Sequence, residues 1–423
     1  NVHCPLEPTT PLRVVFYRIW ITLMQDLTSA QGLDGRLPYG SLRPGLQAHI
    51  PTYFSLTKLP PLALLMKKFF SRHWPEVLLV LAVFLVFAPS LLFPLLPHWD
   101  DSSSILLNQS LAFSWENIWH YAVNGFQGLY TPLTMYSLML DNALFGQCYA
   151  CFHATSIALH CGAALLLVKI LQHLGIRRGI AILAALLWAV HPQRIESLVW
   201  LTERKDVLSG FLAMSAVYVF MKTHDRQGSY LSATVLAILS IAANPATVFL
   251  PLVFLVYVLA KGDLAQSWRK LILPTACYGF YALLALAISQ RLAFGNPTVL
   301  PPPIRFLEIA THNVLFYISN TVLPLNLNPV YPLVDFHDWW IIPVFVAFFA
   351  VVLAWSHWAV RDARWLLGAL LGFGAAWLAM FAPNGNGVIF NPVDYADRYS
   401  YAAAAVLVAF AAFLFDRIIH RRP

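Results

Sequence analysis

Charged side chains are scarce. Asp, Glu, Lys and Arg make up 11% of the 423 residues, where an average soluble domain carries about 25%. Twenty acidic and 27 basic groups cannot solvate the several soluble domains that this length would otherwise suggest. Disorder is excluded from the other side, since disordered chains are poor in apolar residues. This one is 59% hydrophobic, with a mean hydropathy of +0.64. Cysteine is thin as well: Cys4, Cys148, Cys151, Cys161 and Cys277 are too few for a disulfide framework. Cys148 and Cys151 make a C-x-x-C, without the second pair of a zinc site or the βαβ setting of a thioredoxin motif. The expectation there is small apolar residues on a helix. What such a composition leaves is an all-α polytopic membrane protein, its apolar surface buried in lipid. The net charge of +7 then reports orientation in the bilayer, not affinity for nucleic acid.

Residues 1–65 hold many Pro and Leu with scattered Arg, and no apolar run of the roughly 18 residues a span needs. From Met66 the character changes. Met66-Lys67-Lys68-Phe69-Phe70-Ser71-Arg72 is a basic start, and a long apolar run opens at Pro75. The expectation is an extension over 1–65 outside the fold, a start at Met66, and one membrane domain over 66–423. The run after Met66 has no small-residue cleavage site, so it reads as a retained first span.

Apolar runs at roughly 75–97, 152–171, 179–191, 207–221, 230–243, 245–260, 271–290, 338–359, 364–382 and 399–416 predict about ten spans, several shorter than ideal. Lys67, Lys68 and Arg72 place the start in the cytoplasm. From His98 to Val168 there is no Lys or Arg, while Asp100, Asp101, Glu116 and Asp141 are present, so that stretch faces out. Lys169, Arg177, Arg178, Lys222, Arg226, Lys261, Arg269, Lys270 and Arg417 mark the inside. Residues 306–322 form an eleventh candidate. Leaving them as an outer-face helix keeps Arg361, Arg364 and the basic C-terminus cytoplasmic, with both ends inside.

That topology gathers the polar patches on one face: His98 to Asp101, His191 to Asp206, Asn326 to Tyr331, and Asp394 to Tyr401. Asp100 and Asp101 leave the first span with no cation nearby in sequence, a setting that raises a carboxyl pKa and suits a general base. A solvated helix end is the plainer alternative. His191, Arg194, Glu196, Glu203, Arg204, Lys205 and Asp206 place seven ionisable groups within 16 residues beside apolar spans, where charge is costly and usually functional. Arg204 and Lys205 suit a phosphate. Asp397, Arg398 and Tyr399 lie at the mouth of the last span. His153 and His160, seven apart, are too widely spaced for a zinc pair and read as core hydrogen-bonding groups. Asn108-Gln109-Ser110 matches a glycosylation sequon.

The stretch His191-Pro192, Glu196-Ser197-Leu198-Val199-Trp200 and Glu203-Arg204-Lys205-Asp206 resembles a signature of GT-C superfamily membrane glycosyltransferases, nearest the O-mannosyltransferase-like group that usually carries tetratricopeptide repeats. Asp100-Asp101 with Asn108, then Pro132-Leu133-Thr134 with Asp141, then Asp397-Arg398-Tyr399-Ser400-Tyr401 follow in the same order. The resemblance covers roughly 75–416. It departs where Thr131 replaces an Arg or His, where Asn244 replaces a Lys, and in the absence of a 34-residue repeat within these residues. It also touches the dedicated pilin glycosyltransferases of bacteria.

What the resemblance implies is a GT-C bundle with outer-face interfacial helices, in a bacterial inner membrane with the site facing the periplasm. The implied reaction moves one sugar from a polyprenyl-monophosphate donor to an acceptor hydroxyl of a protein or glycan, inverting. Asp100 or Asp101 is the expected base. Arg204, Lys205 and Arg398 are phosphate candidates, and His191, Arg194, Glu196, Asp206, Asp397 and Tyr399 shape the site. No cofactor is required, although a divalent metal on the acidic pair is compatible. The rival classes are a secondary transporter or lipid flippase, of which Asn244-Pro245 is the single hint, and an outer-face glycan polymerase or ligase.

Overall fold

The structure, a computed structural model, describes residues 62–96, 99–126, 129–248, 250–292, 303–325 and 396–419, with scattered positions between 327 and 354. The expected extension over 1–65 and the runs at 338–359 and 364–382 lie wholly or largely outside the described residues. The chain divides into Asn1–Trp74 and Pro75–Pro423, and apart from the start of the first helix all that follows concerns the second unit. Among the described residues no strand forms, and a lone bridge joins Phe126 to Leu129.

The helices are α1 (Leu62–Phe87), α2 (Trp115–Val123), α3 (Pro132–Phe145), α4 (Tyr149–His173), α5 (Arg178–Ala189), α6 (Arg194–Val199), α7 (Arg204–Asp225), α8 (Leu231–Ala243), α9 (Leu250–Lys261), α10 (Leu264–Leu292), α11 (Pro303–Val322) and α12 (Ser400–Ile419). Their boundaries follow local chemistry. Ser114 caps α2 by accepting from Asn117 N. Pro132 opens α3, where its missing N–H costs nothing. Gly175, at φ +83°, ends α4, and the next residue's N–H returns to Leu171 O at 3.0 Å.

Among the described residues four stretches are long and apolar enough to cross a membrane: Ser71–Leu92, Tyr149–His173, Leu201–Asp225 and Asp397–Ile419. They match the first, second, fourth and last of the expected spans. Arg178–Ala189, Leu231–Ala243 and Pro245–Lys261 are apolar but shorter. This is an integral membrane protein of helices.

Helix α7 packs between α4 and α8, and α12 lies against both α5 and α7. Small residues allow the close approach. A Cβ on Gly210 of α7 would run into the ring of Tyr401 on α12. Tyr401 is held there by His160 Nδ1 at 2.6 Å on its hydroxyl and Trp188 Nε1 at 3.2 Å on its carbonyl. His160, whose other nitrogen meets Ala189 O at 2.9 Å, is the core hydrogen-bonding group the sequence suggested. His153, 1% exposed, lies against the Leu198 backbone in the same interior.

Cys148 and Cys151 correct an expectation. They are joined as a disulfide across the first turn of α4, not left as small apolar residues.

Candidate active site

The connection after α1, the turns around α6, and the start of α12 meet at one end of the unit. The acidic pair separates there. Asp101 is 1% exposed and its oxygens accept Thr202 N at 2.9 Å, Thr202 Oγ1 at 2.7 Å and Leu96 N at 3.2 Å. It ties the exit of the first span to the Leu201–Glu203 turn. Asp100 instead keeps an exposed face. Its partial desolvation pushes the carboxyl above the usual range, against the pull of Lys205. The two carboxylates therefore do not present a shared face to a metal ion. Among the described residues, no group of three or more His, Cys, Asp or Glu is placed to hold one.

Around Asp100 runs a chain of opposite charges. Arg398 pairs with Glu196 through its guanidinium, and its backbone N donates to Glu196 Oε2 at 3.0 Å. Its Nε lies 3.5 Å from Glu203 Oε1, which also accepts Lys205 Nζ at 2.7 Å. Burial raises the Glu196 carboxyl while Arg398 opposes that rise. The guanidinium lies 5.1 Å from the Trp200 ring centroid and 4.8 Å from that of Tyr399. Trp200 in turn meets Trp99 edge-on at 4.9 Å. Sequence reasoning gave these two tryptophans no role of their own, because an indole near a membrane interface is ordinary.

Below this layer Arg194, Asp206 and Asp397 are buried and His191 is half-buried. Arg194 is 0% exposed. It donates to Ser400 Oγ at 2.5 Å, and its Nε and Nη1 have no partner among the described residues. Burial lowers its pKa to about 10, so it stays charged at neutral pH. His191 accepts from Gln193 N at 3.3 Å, and burial holds its ring near a pKa of about 4, hence neutral. Asp206 accepts Asn244 Nδ2 at 2.6 Å and Ser197 Oγ at 3.3 Å. Asn244, where the resembling family often has Lys, thus gives this carboxylate a neutral partner. Asp397 accepts from Tyr331 at 3.0 Å.

Arg204 stands apart from the expected phosphate layer. It is 0% exposed, and its Nη1 lies 2.6 Å from Asp141 Oδ2. It also donates to Phe152 O at 2.7 Å and Ser156 Oγ at 3.2 Å. These contacts turn it toward α3 and α4, away from Asp100. Asn108 is also committed. Its Nδ2, the atom a glycan would modify, donates to Ser104 O at 3.0 Å and Tyr121 OH at 2.9 Å.

Comparison with known proteins finds partial likeness. A 98-residue stretch, 23% of the chain, is 34% identical to protein O-mannosyl-transferase TMTC1 of Mus musculus and spans 10% of that protein. The human counterpart matches equally over 98 residues, 11% of its length. A protein O-mannosyl-transferase of Caenorhabditis elegans is 22% identical over 205 residues, 47% of this chain and 29% of the relative. The chain thus spans under a third of the length of these curated relatives. No family model matches, and neither does any solved structure. All three relatives are animal proteins, so a bacterial setting and a pilin acceptor draw no support from them.

Proposed function

We propose that this chain is a membrane glycosyltransferase that moves one sugar from a polyprenyl-monophosphate donor to a hydroxyl of an acceptor protein, on the non-cytoplasmic face. The observation that carries this reading is the open carboxylate of Asp100 beside the half-buried cations Lys205 and Arg398. The named activity of the partial relatives supports it.

In this reaction Asp100 takes the proton of the acceptor hydroxyl as its oxygen attacks C1 of the sugar. The bond from C1 to the phosphate oxygen breaks with inversion, and polyprenyl phosphate leaves with the electron pair. Lys205 and Arg398 meet the charge that develops on it. Each already touches Glu203 or Glu196, which fixes their position before substrate arrives. Arg194 adds a third, enclosed positive charge. Holding lipid donor and acceptor together supplies the proximity term. The disulfide at the start of α4, at the same end as this cluster, is the kind of bond kept in oxidising compartments, which supports the outward orientation.

The test is sugar transfer by purified protein in detergent from synthetic polyprenyl-phosphate mannose to a Ser- and Thr-bearing peptide. The product is the peptide heavier by one hexose. No covalent product from mannose or any other polyprenyl-phosphate sugar, at any donor concentration, removes the enzyme reading.

A further inference from the structure

Trp200 and Glu203 sit three residues apart around the Leu201–Glu203 turn, on either side of the Arg398 guanidinium. The indole of Trp200 is 7% exposed and its Nε1–H has no acceptor among the described residues. Glu203 is 2% exposed; its Oε1 serves Lys205 and Arg398, whereas Oε2 has no donor among the described residues. Buried indole N–H groups and carboxylate oxygens almost always find partners, because an unmet one has lost its water with nothing in return. Here one donor and one acceptor lie unmet within reach of one guanidinium. The Trp200 ring meets that of Trp99, the residue before Asp100.

A lone donor and a lone acceptor around one guanidinium match the chemistry of the neighbouring hydroxyls of a sugar, since each hydroxyl can both accept and donate. A phosphate offers acceptors only and leaves a carboxylate repelled. An acyl or prenyl chain satisfies neither group. We infer that Trp200 Nε1–H and Glu203 Oε2 form a hydroxyl-reading pair that selects the donor's sugar ring next to Asp100. This rests on the glycosyltransferase reading above and adds the group that sets its sugar specificity. Lys205 and Arg398 occupy Glu203 Oε1 and leave Oε2 for a ligand, while the Arg398 guanidinium packs 5.1 Å from the indole centroid.

The experiment uses the full chain in detergent, with polyprenyl-phosphate mannose and its 2-, 3-, 4- and 6-deoxy analogues. The wild type should lose roughly ten- to a hundredfold in kcat/KM when one or two particular hydroxyls are removed. Trp200→Phe keeps an aromatic face for Arg398 but has no N–H. It should be slower with the full sugar by about the same factor, yet show no further loss for the hydroxyl that indole serves. Glu203→Gln should do the same for its own hydroxyl, with donor KM moving more than kcat. Thermal unfolding of both variants checks that they fold. If the wild type transfers mannose but tolerates every deoxy sugar, or if both variants keep the wild-type pattern of penalties, the pair does not read hydroxyls and the inference is overturned. If the wild type makes no product from any polyprenyl-phosphate sugar, the enzyme reading itself falls, a result distinct from either of these. Should neither variant fold, the wild-type deoxy series alone decides between a hydroxyl-reading site and none.

Discussion

One position of register, about 100° on a helical turn, separates the open carboxylate of Asp100 from the enclosed one of Asp101. That difference predicts unlike mutants. Asp100→Asn should abolish transfer, because an amide cannot accept the hydroxyl proton, and should leave thermal unfolding close to wild type. Asp101→Asn exchanges one accepting oxygen for a donor that faces the Leu96 or Thr202 amide. It should cost about 1–3 kcal/mol of stability, with residual transfer in whatever fraction stays folded. Full activity in Asp100→Asn at neutral pH would discard the base assignment. The same scale gives a pH signature at His191. Its folded pKa of about 4 lies below the free imidazole value of about 6.5. The unfolded chain therefore binds a proton that the folded one refuses. This contribution to stability is complete above about pH 6.5 and is lost as pH falls toward 4. The raised carboxyls of Asp100 and Glu196 act with the opposite sign in acid, so the variant is compared with wild type at each pH. His191→Gln should flatten the decline in melting temperature between pH 6.5 and 4. An unchanged slope would show that the imidazole titrates normally.

At the scale of elements, the buried pair Arg204–Asp141 carries the junction of α3, α4 and α7. Removing one partner leaves an unpaired charge inside a span, which typically costs about 3–5 kcal/mol. Arg204→Ala should therefore lower folded yield and melting temperature rather than donor affinity alone. If it folds like wild type and only donor KM rises, Arg204 belongs to the phosphate layer after all. Gly210→Ala is a second check on helix packing. The added methyl meets Tyr401, which His160, Trp188 and Arg194 already hold in place, so overpacking should cost about 1–3 kcal/mol.

These junctions also mark the limit of what can be read from the chain. Apolar runs located α4, α7, α12 and the end of the first span to within a few residues, because the lipid requirement is local and cumulative. The His191–Asp206 cluster declared itself through the cost of charge near a bilayer. Arg204 facing away from Lys205 was not legible, since its partner Asp141 lies 63 positions earlier and nothing between them signals the pairing. The Cys148–Cys151 bond was missed because composition weighed against disulfides, while helix N-terminal geometry brings those two thiols together. Trp200 and Glu203 stood in the quoted signature, but no role for either could be read before their unmet atoms were seen around Arg398.

On the scale of the molecule, charge and chemistry sort to opposite ends of the helices. Basic groups collect where α4 and α7 end and α5 begins. There Arg178 pairs with Glu76 at 2.5 Å, Arg177 with Asp416 at 3.6 Å, and Lys261 with Asp225 at 3.2 Å. The candidate site gathers where α7 and α12 begin and α5 ends. Basic residues concentrate on the cytoplasmic side of membrane proteins, so the site end is expected to face away from the cytoplasm. Exposed Gln109 and Gln227 sit at the two ends and make the expectation measurable. In a Cys4→Ser and Cys277→Ser background, which leaves buried Cys161 as the free thiol among the described residues, Gln109→Cys should react with an impermeant maleimide in sealed vesicles of known orientation whose outer surface is the non-cytoplasmic face. Gln227→Cys should react only after the membrane is permeabilised. The reverse pattern would turn the site toward the cytoplasm, place the disulfide in a reducing compartment, and force the donor to be presented from the opposite leaflet. Labelling of both in sealed vesicles would break the antiparallel alternation that α4, α5 and α7 require.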